Sequence, residues 1–251
     1  MKRILLSAIV IVISLLTIAQ DLSRESKSDG PSNTYITVLE SRTEVSEDET
    51  KSNIYNKVKD YDGNSYSVVK IGNQLWMAEN LATTRFSDGT KIPSVSDYKA
   101  WSNLLSPGFC WYFNEAENYK ASYGALYNGY TVSTGKLCPE GWHVPSAEEW
   151  QTLMNFSGGK EVGGKLKETG NEHWMNPNEG ATNEVGYSAL PGGSRGIRGS
   201  FFDDRLQGYW WSSTDLDNNN SLYNSLRYSS NEVKSSSDDK KSGFSVRCIK
   251  D

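Results

Sequence analysis

The pair Asp62-Gly63, set between two runs rich in β-branched and aromatic residues, constrains this chain more than any other feature. Residues 58–61 precede it. Downstream, Tyr66-Ser67-Val68-Val69-Lys70-Ile71 leads through Gly72-Asn73 into Gln74-Leu75-Trp76-Met77. Asp-Gly supplies the positive φ angles of a tight hairpin, and the flanking residues suit pleated strands. The segment therefore predicts an antiparallel meander. Further short strands are expected at 124–130, where Leu126 and its period-two neighbours share a face, and at 209–213, 221–228 and 243–249.

Against these strand patterns stands one sharp helix start. Ser146 caps, and Glu149 three residues later closes a capping box. Trp150, Leu153 and Met154 then fall at i, i+3 and i+4, forming an apolar stripe, and Gly158-Gly159 ends the helix. Glu148 and Glu149 are read as helix-start residues rather than as paired acids. Residues 168–206 are dense in Asn, Gly and Pro with isolated aromatics (Trp174, Tyr187, Phe201), and read as extended loop on a rigid scaffold.

The N-terminus reads as an export address. Met1-Lys2-Arg3 precedes an apolar run over 4–19 that is short for a bilayer span, and Thr17 and Ala19 place a signal-peptide cut after Ala19, with an uncleaved anchor as the competing reading. No cysteine precedes Cys110, so a lipoprotein anchor is not expected. Residues 20–54 are polar and poor in apolar groups, and read as a disordered linker to a domain at 55–251. After signal cleavage no membrane insertion is expected, and the location is extracytoplasmic: periplasm, cell surface or secreted. There disulfides persist. Three cysteines allow one bridge, chosen in three ways. Cys138, just before the helix, and Cys248, near the C-terminus, are the expected pair, and closing so long a loop is worth at most roughly 4.7 kcal/mol in the chain-entropy model. Cys110, among aromatic neighbours, reads as a buried inert thiol. With 26 basic against 31 acidic residues, the chain has no basic face for a phosphate backbone, so nucleic acid is not a partner.

The segments "DGNSYSVVKIGNQLWMAENL" (62–81), "YGALYNGYTVSTGKLCPEGWHVPSAEEWQTL" (123–153), "GGKLKETG" (163–170), "HWMNPNEGATNEVGYSALPGGSR" (173–195), "YWWSST" (209–214) and "GFSVRCIKD" (243–251) occur in this order. Together they closely resemble the Fibrobacter succinogenes major paralogous (FISUMP) domain, which occurs in exported proteins of Bacteroidetes and their relatives; the resemblance covers about residues 58–251. "HVPSAEEW" (143–150), "LPGGSRG" (190–196), "YWWSST" and "GFSVRC" (243–248) are more remotely similar to the formylglycine-generating enzymes. That likeness implies an α+β, C-type-lectin-like fold: a twisted antiparallel sheet, one or two helices and long ordered loops. In that superfamily a disulfide often ties a helix to a terminal strand, a tie that Cys138 and Cys248 would fit. The formylglycine enzymes use two neighbouring redox-active cysteines, whereas no two here are closer than Cys110 and Cys138.

No catalytic constellation emerges. The two histidines, His143 and His173, lack a nucleophile context, and His143 at the helix entrance reads as a satisfied structural residue. No Cys/His group has zinc spacing, Gly192-Gly193-Ser194 is no phosphate loop, and Asp215, Asp217, Asn218, Asn219 and Asn220 match turn chemistry better than a calcium loop. No metal, cofactor or enzymatic activity is therefore expected. The remaining lead is aromatic: eight Trp and fourteen Tyr in an Asn- and Gly-rich chain suit carbohydrate binding. Trp76, Trp111, Trp142, Trp150 and Trp210 read as core, while Trp174 and Trp211 are expected to be exposed. The expected ligand-binding set is Trp174, Asn176 and Asn178 in the loop, with Trp211, Asp215 and Asn218 at the following turn. The reading is an exported, non-catalytic recognition or surface module for a glycan, another extracellular polymer or a surface protein. The alternatives are a structural or assembly domain without a small-molecule ligand, and an oxidase like the formylglycine enzymes.

Overall fold

The computed structural model describes residues 54–251; the expected leader at 1–19 and nearly all of the linker lie outside the described residues. Thirteen strands among the described residues form three curled antiparallel sheets. In the first, β1 (Ile54–Lys59), β2 (Ser65–Ile71) and β3 (Gln74–Met77) make the expected meander. Gly63 at its first turn has φ +84°, a conformation that costs a residue with a Cβ and costs glycine nothing. The short strands β13 (Ile249–Lys250) and β6 (Trp142–His143) complete the order β1-β2-β3-β13-β6. The second sheet runs β4 (Phe109–Cys110), β5 (Leu126–Asn128), β12 (Gly243–Phe244), β7 (Ser194–Arg195), β8 (Phe201–Phe202). The third is a longer meander of β9 (Gln207–Asp215), β10 (Asn220–Arg227) and β11 (Val233–Asp239).

Five short α-helices among the described residues accompany the sheets: α1 (Tyr98–Ser102), α2 (Ala116–Tyr123), α3 (Gly129–Val132), α4 (Ala147–Ser157) and α5 (Gly163–Leu166). The longest, α4, starts as its sequence requires. Ser146 Oγ accepts from Glu149 N, Glu149 returns the bond to Ser146 N at 2.8 Å, and Gly158 ends the helix in the left-handed region. Its buried stripe of Trp150, Leu153 and Met154 packs with Trp76, Tyr187 and Trp210. Burying side chains such as Leu153 and Met154 is worth roughly 1.5–3 kcal/mol each.

The C-terminal segment unites the sheets. Gly243 and Phe244 pair with β5, and Gly243 also with β7; Ser245 bonds β9 on both sides, to Trp211 N and Tyr209 O; Val246 O accepts from Leu81, and Ile249 joins β3 to β6. Every residue from Ser242 to Ile249 is buried. Cys248 is bonded to Cys138, as expected, with the Cα atoms 6.0 Å apart.

Three expectations about elements need correction, and one strand had no expectation. The stretch at 243–249 is two strands in two sheets, because its middle leaves one sheet to serve another. The strand at 124–130 stops at Asn128, whose side chain accepts from Thr131 N and turns Gly129 and Tyr130 into a helix. The loop at 168–206 contains the β7–β8 hairpin. Strand β11, with the polar sequence VKSSSDD, is an edge strand that pattern alone does not reveal. Among the tryptophans expected in the core, Trp111 and Trp142 are only partly buried and pack at its margin.

Candidate functional site

The six residues expected to bind a ligand do not converge. Trp174 and Trp211 are both 0% exposed, contrary to expectation. The loop carrying Trp174 folds back onto the core, where its indole N–H donates to Ala189 O at 2.9 Å. Trp211 lies on the β9 face opposite Trp210, but both faces of β9 are covered. Its indole donates to Tyr127 O at 2.8 Å and its ring lies 4.4 Å from that of Phe244. The two tryptophans also belong to different hydrophobic clusters. Asn178 is buried and ties its loop together by donating to Glu168 O and Gly170 O, whereas Asn176 is exposed.

At the β9–β10 turn, Asp215 accepts from Ser221 Oγ and from Lys240 Nζ, each at 2.7 Å. Asp217 accepts from the backbone N–H groups of Asn219 and Asn220. These oxygens close a turn, and Asn218 stands exposed beside them. Among the described residues no group of three His, Cys, Asp or Glu side chains is placed to hold a metal.

One cleft, of about 530 Å³, lies between β2, the residues that follow β3 and the loop at 183–190, and three carboxylates line it. Each already has a partner: Glu79 accepts from Ser67 N, Glu168 pairs with His173 and Glu184 with Lys165. No aromatic ring lines it. Its polar groups are turned toward one another rather than toward a guest.

A second cleft, of about 440 Å³, differs in chemistry. Its floor is the inner face of β9 and β10: half-buried Tyr209 and Tyr223 on buried Phe244. The Tyr209 and Phe244 rings stack at 5.0 Å and 13°, and Tyr223 lies 4.9 Å from Phe244. The register places Tyr223 opposite Ser236 of β11, so Asp238, two residues on, projects from the same face. The opposite wall is the β7–β8 hairpin, with Phe202 52% exposed at the rim beside Ile197. Asp203 follows β8 in the left-handed region, φ +64°, and its carboxylate accepts the Tyr209 hydroxyl at 2.6 Å. Burial and that carboxylate both raise the Tyr209 pKa, so the phenol stays a donor. Burial likewise raises the pKa of Asp238, whose Oδ1 accepts from Asp239 N at 2.8 Å.

The hairpin wall is held from behind. Arg195, fully buried, donates to the carbonyls of Gly199, Val95 and Ser96, with its guanidinium carbon 4.4 Å above the Trp101 ring and 5.0 Å from Phe201. Ahead of it, Gly193 has φ +63°, and a side chain there would collide with the Tyr112 ring and the Phe202 carbonyl. Arg205 clamps the carbonyls of Asn171, Glu172 and His173 below the turn that presents Asp203. Sequence reasoning missed Phe202, Asp203, Tyr223 and Asp238, and assigned Tyr209 only to a strand. The available signal was the run Phe201-Phe202-Asp203-Asp204, which sets apolar rings beside acids inside a loop.

The arrangement can stack a flat apolar face on aromatic rings and accept hydrogen bonds at its edges. It offers no thiolate for redox chemistry. Cys248 is bridged, and burial pushes the Cys110 thiol up to about 12 despite the nearby Arg195. In comparison with known sequences, the profile of the Fibrobacter succinogenes major domain matches residues 69–250. No curated protein and no solved structure matches the chain.

Proposed function

The chain belongs to the Fibrobacter succinogenes major domain family, and from that premise we propose that it is an extracytoplasmic, non-catalytic recognition module that binds a glycan in the cleft between the β9–β10 face and the β7–β8 hairpin. The observation that supports this reading is the cleft's composition. Tyr209, Tyr223 and Phe202 offer ring surface to solvent, and Asp203 and Asp238 stand beside them. Sugar rings present apolar C–H faces that stack on aromatics, and equatorial hydroxyls that donate to carboxylates. The cleft size lies within the range of small-ligand sites. The disulfide is compatible with an oxidising compartment, and among the described residues no helix is long and apolar enough to cross a membrane.

The oxidase reading asks for two neighbouring redox-active cysteines, whereas Cys138 is bridged to Cys248 across 110 residues and Cys110 is buried. A purely structural domain remains the competing class. A glycan array probed with residues 55–251 separates the two: the proposal expects binding to at least one polysaccharide class. It also expects Tyr223→Ala to weaken that binding at least tenfold, about 1.4 kcal/mol, with the near-ultraviolet circular dichroism retained. A blank array, or binding indifferent to Tyr223→Ala and Phe202→Ala, favours the structural class.

A further inference from the structure

Each wall of this cleft contributes an acid to its lining. Asp203 comes from the hairpin side and Asp238 from the edge strand β11, while no Lys, Arg or His is among its lining residues. Of the cations close in sequence to these residues, Arg195 lies over Trp101 and Phe201 with its donors taken by carbonyl oxygens, Arg205 donates to the carbonyls of Asn171, Glu172 and His173, Lys240 pairs with Asp215, and Arg198 stands exposed in the hairpin turn outside the lining. Asp203 is engaged by the Tyr209 hydroxyl and Asp238 by the backbone N–H of Asp239, and among the described residues neither carboxylate is in an ion pair. Tyr209, Tyr223 and Phe202 line the same cleft, and the negative quadrupoles of their faces attract cations as the carboxylates do. Aromatic walls with flanking carboxylates form an environment that favours an ammonium group and repels a carboxylate or sulfate.

Resting on the glycan-binding reading above, we infer that the cleft selects an amino sugar bearing a free ammonium group, as in a glucosamine oligomer, over neutral sugars, and excludes uronic acids. The ring of such a sugar stacks on Tyr223 and Tyr209 while its ammonium group approaches Asp203 and Asp238. Burial lifts the Asp238 pKa, and a cation bound beside it favours the charged form of that carboxyl.

Isothermal titration of residues 55–251, at a mildly acidic pH where the amine is charged, tests this with four pentasaccharides: glucosamine, N-acetylglucosamine, glucose and galacturonic acid. The inference expects the glucosamine oligomer to bind about tenfold more tightly than its N-acetylated counterpart, with the advantage shrinking as salt is raised and no binding of the uronate. The double variant Asp203→Asn/Asp238→Asn should lose the preference, binding the glucosamine and N-acetylglucosamine oligomers with equal affinity and with no salt dependence to tell them apart. Tighter or equal binding of the N-acetylated, glucose or uronate oligomer overturns the inference and leaves the glycan-binding reading standing. Failure of all four to bind overturns the inference, and only a blank glycan array as well overturns the glycan-binding reading.

Discussion

Arg247, Arg195 and Lys167 carry full charges into the interior, and each is met by carbonyl oxygens of loops. Arg247 donates to the carbonyls of Tyr187 and Ser188 and to Asn80 Oδ1, with its guanidinium carbon 4.1 Å above the Tyr187 ring. Lys167 donates to the carbonyls of Glu179, Arg227 and Ser230 within 3.1 Å. A chain with so much irregular backbone must pair many buried carbonyls outside its sheets, and long cationic side chains do this for several strands of loop at once. Replacing Arg247 with Leu keeps the bulk and orphans those acceptors. It should destabilise the domain by about 3 kcal/mol in urea unfolding, whereas a loss below about 1 kcal/mol would show that the carbonyls find other partners. His143 acts at the surface. Its Nδ1 meets Asp251 at 2.6 Å and its Nε2 meets Glu149 at 2.9 Å, in the role of a satisfied structural residue. Partial burial pulls its pKa down, but the hydrogen bonds to Asp251 and Glu149 outweigh this and the net shift is upward. A raised folded-state pKa means that the imidazolium contributes stability fully below the unfolded value of about 6.5, and that this is lost as pH rises through the folded value. Thermal unfolding should therefore show a melting temperature that falls from pH 6 toward pH 8, and His143→Gln should flatten that fall; an unchanged slope would contradict it.

Among the elements, the meander was legible from residue 58 to 77, although its first strand begins earlier and ends at Lys59, and the start of α4 was legible too, because their signals are local. A positive-φ glycine, alternating strand residues and a reciprocal cap need no distant partner. The elements that misled depend on what lies across from them. Trp211 sits on the face of β9 opposite Trp210, a pattern that normally leaves one ring in water, yet Phe244 arrives from the far end of the sequence to cover it. The stretch at 243–249 looks like one strand because its apolar residues continue, and only its three sets of partners divide it. The cleft was hidden for the same reason, since its walls are β8 and β11, one inside an apparent loop and the other a polar edge strand. The bridge from Cys138 to Cys248 spans 110 residues and ends in this shared segment. Reduction under native conditions should lower stability by roughly 3–5 kcal/mol, measured as a shift in the urea midpoint, the entropic part growing with loop length. A midpoint that does not move would show that the backbone pairing of 243–250 suffices alone.

At the scale of the whole molecule, three small sheets share one buried C-terminal segment, two hydrophobic clusters flank it, and the irregular segments are tied down by buried cations. This rigid frame holds the β7–β8 hairpin against the β9–β10 face, so that a preformed cleft with an aromatic floor requires no large rearrangement to accept a ligand. The larger carboxylate-lined cleft near β2, with its polar groups already paired, is the natural internal comparison. Amide and aromatic chemical-shift mapping of the labelled domain during titration with a bound oligosaccharide tests the account most directly. The account predicts perturbations concentrated at Phe202, Asp203, Tyr209, Tyr223 and Asp238, with Glu79, Glu168 and Glu184 unmoved. Perturbations centred on those three glutamates, or on the loop around Trp174, would contradict it.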